Sequence, residues 1–173
     1  MITPEQFHSI YPRLLKEIHN ILTTNAGYER KVYTADFKRL PLYFSKTLLE
    51  STKFVLVDKI PIPPLSDFGF KEFSEFENGE YGGITYLDTF FVKRRYAEVE
   101  DLFFHELIHI LQWQILGPEH FLAEYVSELI ANGYRDSLLE IIAYDAQSSF
   151  VKSTIPFDAE RLTIEQLRKV GIL

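Results

Sequence analysis

Residues 103–112 read Phe-Phe-His-Glu-Leu-Ile-His-Ile-Leu-Gln, and within them His105, Glu106 and His109 form His-Glu-x-x-His. Leu102, Phe103, Phe104, Leu107, Ile108, Ile110, Leu111, Trp113, Ile115 and Leu116 surround the motif on nearly every side. A helix that is apolar all round is a buried helix. The spacing therefore predicts a core helix from about Ala97 to Leu116, closed by Gly117-Pro118. Two imidazoles and a carboxylate in that setting carry a desolvation cost of kilocalories unless each finds a partner. Residues four apart on a helix share a face, so His105 and His109 can aim ring nitrogens at one point. Zinc, with nitrogen ligands at about 2.0–2.1 Å, suits such a pair. Glu106 is turned by about 100° around the axis and reaches the open side of the ion. A zinc-bound water has its pKa lowered to about 7. A neighbouring carboxylate can take its proton during attack on a carbonyl and return it to the leaving amine.

Working outward, Phe121, Leu122, Tyr125, Val126, Leu129 and Ile130 mark a second helix with one apolar stripe, stopped by Asn132-Gly133. A third helix is predicted from Leu138 to about Val151, capped by Asp136 or Ser137, and a short last one from Thr163 to Val170. Upstream, Gly82 to Val92 reads as one strand or two short ones, and Lys53 to Asp58 as another. Thr3-Pro4-Glu5-Gln6 opens a helix with Thr as cap, and helical spacing carries it to about Thr23. Phe44 to Leu49 suggests a short helix. Ile60 to Leu65, with Pro61, Pro63 and Pro64, is a stiff loop. Residues 66–80 read as a Phe-rich loop folded back onto the core. One helix, then strands, then helices gives a segregated α+β fold, a small sheet against a helical half, as one domain over residues 1–173.

Bulk properties narrow the chemistry. Hydrophobic residues make up 46% and aromatics 15%, enough for a core without covalent staples. A net charge of −7 with no basic face argues against nucleic acid as partner. No stretch approaches the roughly 18 unbroken apolar residues of a membrane span, and the first 25 residues lack an apolar leader. A cytoplasmic protein without a membrane partner is the expectation. With no cysteine present, a metal must be held by His, Asp or Glu.

A catalytic zinc needs one more protein ligand and one open position. His120, the one later histidine, lies in a polar stretch and reads as a surface residue. The extension Gly-x-x-His is missing, because Gln112 and Ile115 stand at those places. Among the glutamates, Glu140 is the only acid in Leu138-Leu139-Glu140-Ile141-Ile142-Ala143-Tyr144, and a carboxylate among Leu and Ile asks for a cation. Glu128, beside the stripe of the preceding helix, is the alternative. Tyr125, Tyr134 and Tyr144 are candidate hydroxyl donors to an oxyanion.

His105-Glu106-Leu107-Ile108-His109, followed by Gln112-Trp113, the loop Gly133-Tyr134-Arg135-Asp136 and the segment Glu140-Ile141-Ile142-Ala143-Tyr144, resembles the gluzincin class of zinc metallopeptidases. It looks most like the small soluble bacterial zincin-like domains, and the likeness spans about residues 80–152. The resemblance implies a zincin-like fold, a small mostly antiparallel sheet packed against the motif helix. It also implies one Zn²⁺ per chain held by His105, His109 and Glu140, Glu106 as general base, and a peptide or protein substrate. Many gluzincins carry Glu-x-x-x-Asp at the third ligand, and here Tyr144 holds the Asp place. Asp136 and Asp145 are thus the candidates for orienting a histidine, with Tyr134 and Tyr144 beside them. The same comparison makes Gly83, Ile84, Thr85 and Tyr86 an edge strand on which extended substrate pairs. A competing reading is a non-proteolytic, metal-holding domain of the same fold that binds a partner or ligand. Glu106 favours the enzyme, since a purely structural site does not need that acid.

Overall fold

The computed structural model describes residues 2–69 and 71–173, with the backbone alone at Lys71 and Glu72. Its helices are α1 (Pro4–Asn25), α2 (Lys46–Ser51), α3 (Lys71–Glu77), α4 (Glu100–Asn132), α5 (Leu138–Lys152) and α6 (Ala159–Lys169). Its strands are β1 (Arg30–Lys31), β2 (Lys53–Val57), β3 (Gly83–Tyr86) and β4 (Thr89–Lys93), in the order β1-β2-β4-β3. The fold is α+β. None of the described helices is long and apolar enough to cross a membrane.

The sheet is mixed: a parallel β2–β4 pairing is flanked by two antiparallel ones. Phe90, Phe91 and Val92 of β4 are all fully buried. A strand apolar on both faces belongs inside a sheet, so the second arm of the β3–β4 hairpin inserts next to β2. β3, carrying Gly83 and Thr85, takes the edge.

Register then decides what faces the motif helix. Phe54 and Thr85 both lie opposite Phe90, and alternate residues of a strand share a face. Gly83, Thr85, Phe90 and Phe54 therefore point the same way. Phe103 of α4 packs edge-on against Phe54 at 5.1 Å and Phe90 at 5.2 Å, which fixes α4 on that face. On its other side α4 carries α5, with Phe104 and Phe150 stacked at 4.4 Å. Residues 103–113 of α4 are buried without interruption.

The break expected at Gly117-Pro118 is a sharp elbow within α4, where Gly117 adopts φ 76° and ψ 161°. Trp113 and Phe121 stack across it with centroids 4.0 Å apart. Eight residues of straight helix would separate them by about 12 Å, so residues 118–132 fold back over residues 100–116.

Residues 66–80 contain a helix, α3, where a loop was expected. Phe73 and Phe76, one turn apart, are its buried stripe, and two residues are too few to announce a period. Phe70 of the same stretch lies outside the described residues. At the C-terminus, Asp158 accepts from Arg161 N at 2.9 Å and starts α6 at Ala159, ahead of the expected Thr163.

A Cβ on Gly117 would meet nothing within 4 Å, so Gly117→Ala tests the backbone conformation alone. That φ/ψ region costs a residue with a side chain roughly 1–3 kcal/mol. The expected outcome is a lower urea midpoint at unchanged m value.

Candidate metal centre

His105 and His109 sit one turn apart on the buried part of α4, and Glu140 on the first turn of α5, where a helix N-terminus favours negative charge. The three are 3%, 5% and 2% exposed. Their Nε2 atoms are 3.1 Å apart. Glu140 straddles them, with Oε2 3.4 Å from His105 Nε2 and Oε1 3.4 Å from His109 Nε2. His105, His109 and Glu140 form the one group with metal-holding geometry among the described residues.

Two glutamines fix the protonation of the rings. Gln112 Nε2 donates to the Leu139 carbonyl at 2.9 Å, which turns its Oε1 toward His109 Nδ1 at 2.8 Å. Gln147 Nε2 donates to Asp101 Oδ2 at 2.9 Å, which turns its Oε1 toward His105 Nδ1 at 3.1 Å. An amide oxygen only accepts, so both rings carry a proton on Nδ1. Both Nε2 lone pairs are thereby presented to each other and to a carboxylate. Tyr125 Oη donates to Glu140 Oε1 at 3.2 Å, while Oε2 is buried without a hydrogen-bond partner. Four electron-rich atoms thus converge on one point, where a positive charge, a proton on one ring or a metal cation, satisfies them. With zinc bonds of about 2.0–2.1 Å, ligand atoms at the corners of a tetrahedron lie about 3.3 Å apart. The observed separations of 3.1–3.4 Å match that edge length. The residues present therefore fit the ion.

Glu106 approaches from the sheet side. Thr85 Oγ1 donates to its Oε2 at 2.7 Å. Its other oxygen rests on Gly83, where a Cβ would collide with Oε1. Burial raises the Glu106 pKa above the ordinary carboxylate value, against the opposing pull of His105, His109 and the Thr85 hydroxyl.

The remaining sequence candidates fall as follows. Glu128 is not at the site; its Oε2 accepts from Asn132 Nδ2 and from Leu138 N, tying the α4–α5 connection. Asp136 and Asp145 are exposed, and the histidine Nδ1 atoms face Gln112 and Gln147 instead. This corrects the expectation of an aspartate orienter. Both glutamines left a trace in the sequence: Gln112 interrupts an apolar run one turn after His109, and Gln147 lies two turns after Glu140 on the same face. Tyr144 is 40% exposed, with its ring 4.6 Å from that of His105. Burial and then Glu140 raise the pKa of Tyr134.

β3 is the sheet edge beside Glu106, as the substrate-strand expectation requires. Lys93 N donates to Gly82 O, so by antiparallel alternation Gly83 and Thr85 turn their backbone groups outward. The Thr85 carbonyl is already taken by Trp113 Nε1 at 3.3 Å. No family model, no curated protein and no solved structure matches the chain.

Burial alone would lower the pKa of His109, yet Glu140, Glu106 and Gln112 outweigh it and raise it from 6.5 to about 9. Burial would raise the Glu140 carboxyl, and the two histidines instead hold it well below the usual range. In the metal-free protein a proton on His109 thus occupies the place of the cation. Zinc binding should release about one proton per ion at neutral pH, and affinity should climb about tenfold per pH unit up to about 9. Calorimetry in buffers of different ionisation enthalpy reads this directly. Without metal, the stabilisation from this pair is complete between the unfolded values of 4.5 and 6.5; it fades as pH rises through about 9 or falls toward the depressed Glu140 value. Gln112→Ala should weaken zinc binding by about 10–100-fold, the usual loss for a histidine-orienting partner.

Proposed function

We propose that this chain is a zinc-dependent metallopeptidase of the gluzincin type, with His105, His109 and Glu140 as ligands and Glu106 as general base. The observation that carries the reading is the pair of Nε2 atoms 3.1 Å apart, turned toward each other and toward a carboxylate with an unpartnered oxygen. A bound zinc would supply Lewis acidity, activating water and polarising a carbonyl.

The chain's own residues supply the rest. Gln112 and Gln147 hold the rings with Nε2 forward. Glu106, His109 and Glu140 line one cavity, so the acid and the ligands face the same space. Thr85 and Gly83 hold the Glu106 carboxylate in place at the sheet edge. Its raised pKa brings it closer to that of the proton it must accept from water and later give to the amine.

The second reading, a metal-holding domain that binds rather than cleaves, has one specific observation in its favour. Glu106 is only 3% exposed, as deeply covered as the ligands themselves. A purely structural centre, however, gives no reason for a second acid seated on a glycine.

Protein purified without chelator or added zinc should carry about one zinc per chain, lost in His105→Ala and Glu140→Ala. Glu106→Gln should keep the metal and lose about 10²–10⁴-fold in turnover of a quenched-fluorescence peptide library. Equal turnover by Glu106→Gln and the parent would favour the binding reading. Gly83→Ala should likewise keep zinc and lower kcat, because the added methyl displaces the Glu106 carboxylate.

A further inference from the structure

Glu140 meets the two histidines evenly, with Oε2 3.4 Å from His105 Nε2 and Oε1 3.4 Å from His109 Nε2. Both carboxylate oxygens are thus within reach of an ion held by the two rings. Two nitrogens and two oxygens make four protein donors, the full complement of a closed, structural zinc site. A hydrolytic site keeps one place for water or substrate. The two histidines and Glu140 alone therefore do not decide between a closed centre and an open one.

The surroundings of the two carboxylate oxygens differ. Oε1 accepts a hydrogen bond from the Tyr125 hydroxyl at 3.2 Å, whereas Oε2 is buried with no hydrogen-bond partner. Hydrogen bonds from outside the ligand set orient a metal-binding carboxylate, and here only one oxygen receives such a bond. Stacked rings hold Tyr125 in place. It stacks on Phe121, one turn earlier, at 5.7 Å, and Phe121 stacks on Trp113 at 4.0 Å. Trp113 is tied to the sheet, its indole N–H donating to the Thr85 carbonyl at 3.3 Å. From α3, Phe76 lies edge-on to the Tyr125 ring at 6.1 Å. The fold-back at Gly117 thus delivers one hydroxyl to one oxygen. Tyr81 lines the same cavity, but its hydroxyl donates to the Phe76 carbonyl at 3.0 Å.

Resting on the metal-site reading above, we propose that Tyr125 is a positioning residue: by occupying Glu140 Oε1 it limits Glu140 to one donor oxygen, Oε2, and so reserves one coordination place of the ion. Tyr125 does not touch substrate in this role. The hydroxyl that the sequence offers to an oxyanion acts instead through the carboxylate. Without it, both Glu140 oxygens close on the ion, and the centre becomes a four-donor structural site.

The test uses the full chain loaded with cobalt(II), whose visible absorption reports the number and arrangement of its ligands. Acetohydroxamate, uncharged in solution, probes the reserved place. Tyr125→Phe keeps the ring and its stacking and removes the hydroxyl alone. It should hold about one metal ion per chain, show an altered visible spectrum before any probe is added, and bind acetohydroxamate about 10–100-fold more weakly than the parent. Tyr81→Phe, which removes the neighbouring hydroxyl, should match the parent in both readings. A Tyr125→Phe spectrum and probe affinity equal to the parent's overturn the proposal. A fall in peptide turnover beside those unchanged readings overturns it too, and assigns the hydroxyl to the substrate. A crystal structure of the zinc-loaded parent with both Glu140 oxygens at bonding distance from the ion overturns it without any variant. A parent that takes up neither zinc nor cobalt sinks the metal-site reading itself, a result distinct from a loaded centre whose spectrum ignores Tyr125.

Discussion

Two imidazole nitrogens 3.1 Å apart beside a carboxylate in a dry interior need a positive charge among them, either a proton on one ring or a metal cation. That constraint organises the centre of this molecule. It arises from the opposite ends of the rings, where two amides held by acceptors of their own decide which nitrogen keeps the hydrogen. Neither glutamine needs to approach the Nε2 atoms to set the way they face. Glu140 brings the compensating negative charge from another helix, so a cation held there would join α4 to α5 where both are buried.

The sheet contributes a floor for the acid. A strand with Gly83 and Thr85 on one face leaves a depression and a hydroxyl, and Glu106 occupies both. β4, apolar on each side, anchors that edge strand to the interior of the sheet. The elbow at Gly117 completes the surroundings. Tyr125 lies sixteen residues beyond His109, about 24 Å along a straight helix, yet its hydroxyl reaches the carboxylate that faces His109. One helix therefore serves twice, first as carrier of the two histidines and then as cavity wall.

Local spacing made part of this legible in the sequence. His105, Glu106 and His109 stand out because a polar triplet at helical spacing inside Leu, Ile and Phe has few structural reasons to exist, and Glu140 stands out on the same logic. The long helices and the elbow follow from apolar stripes and from Gly117-Pro118. Gln112 and Gln147 were harder to see. An amide carries no charge, so its burial violates composition only slightly, and the residue it serves lies on another helix or one turn away. Asp136 and Asp145 came into question only through the resemblance, as acids near the place that Tyr144 holds, and both are exposed. The parallel β2–β4 pairing and the two-residue β1 depend on partners distant in the chain, which no periodicity encodes.

The distribution of these parts along the chain sets an order of assembly. Both histidines, Glu140, Gln112, Gln147 and Asp101 all fall within residues 101–147, so bringing them together closes only short loops of an antiparallel helix pair. The outer wall of the cavity draws on Leu14 and Ile18, nearly a hundred residues upstream, and closing that span costs more chain entropy. Contacts between near neighbours in sequence form faster than remote ones. The kernel around His105, His109 and Glu140 is thus the part of the molecule poised to organise early, with the N-terminal helix arriving later as the last wall to dock.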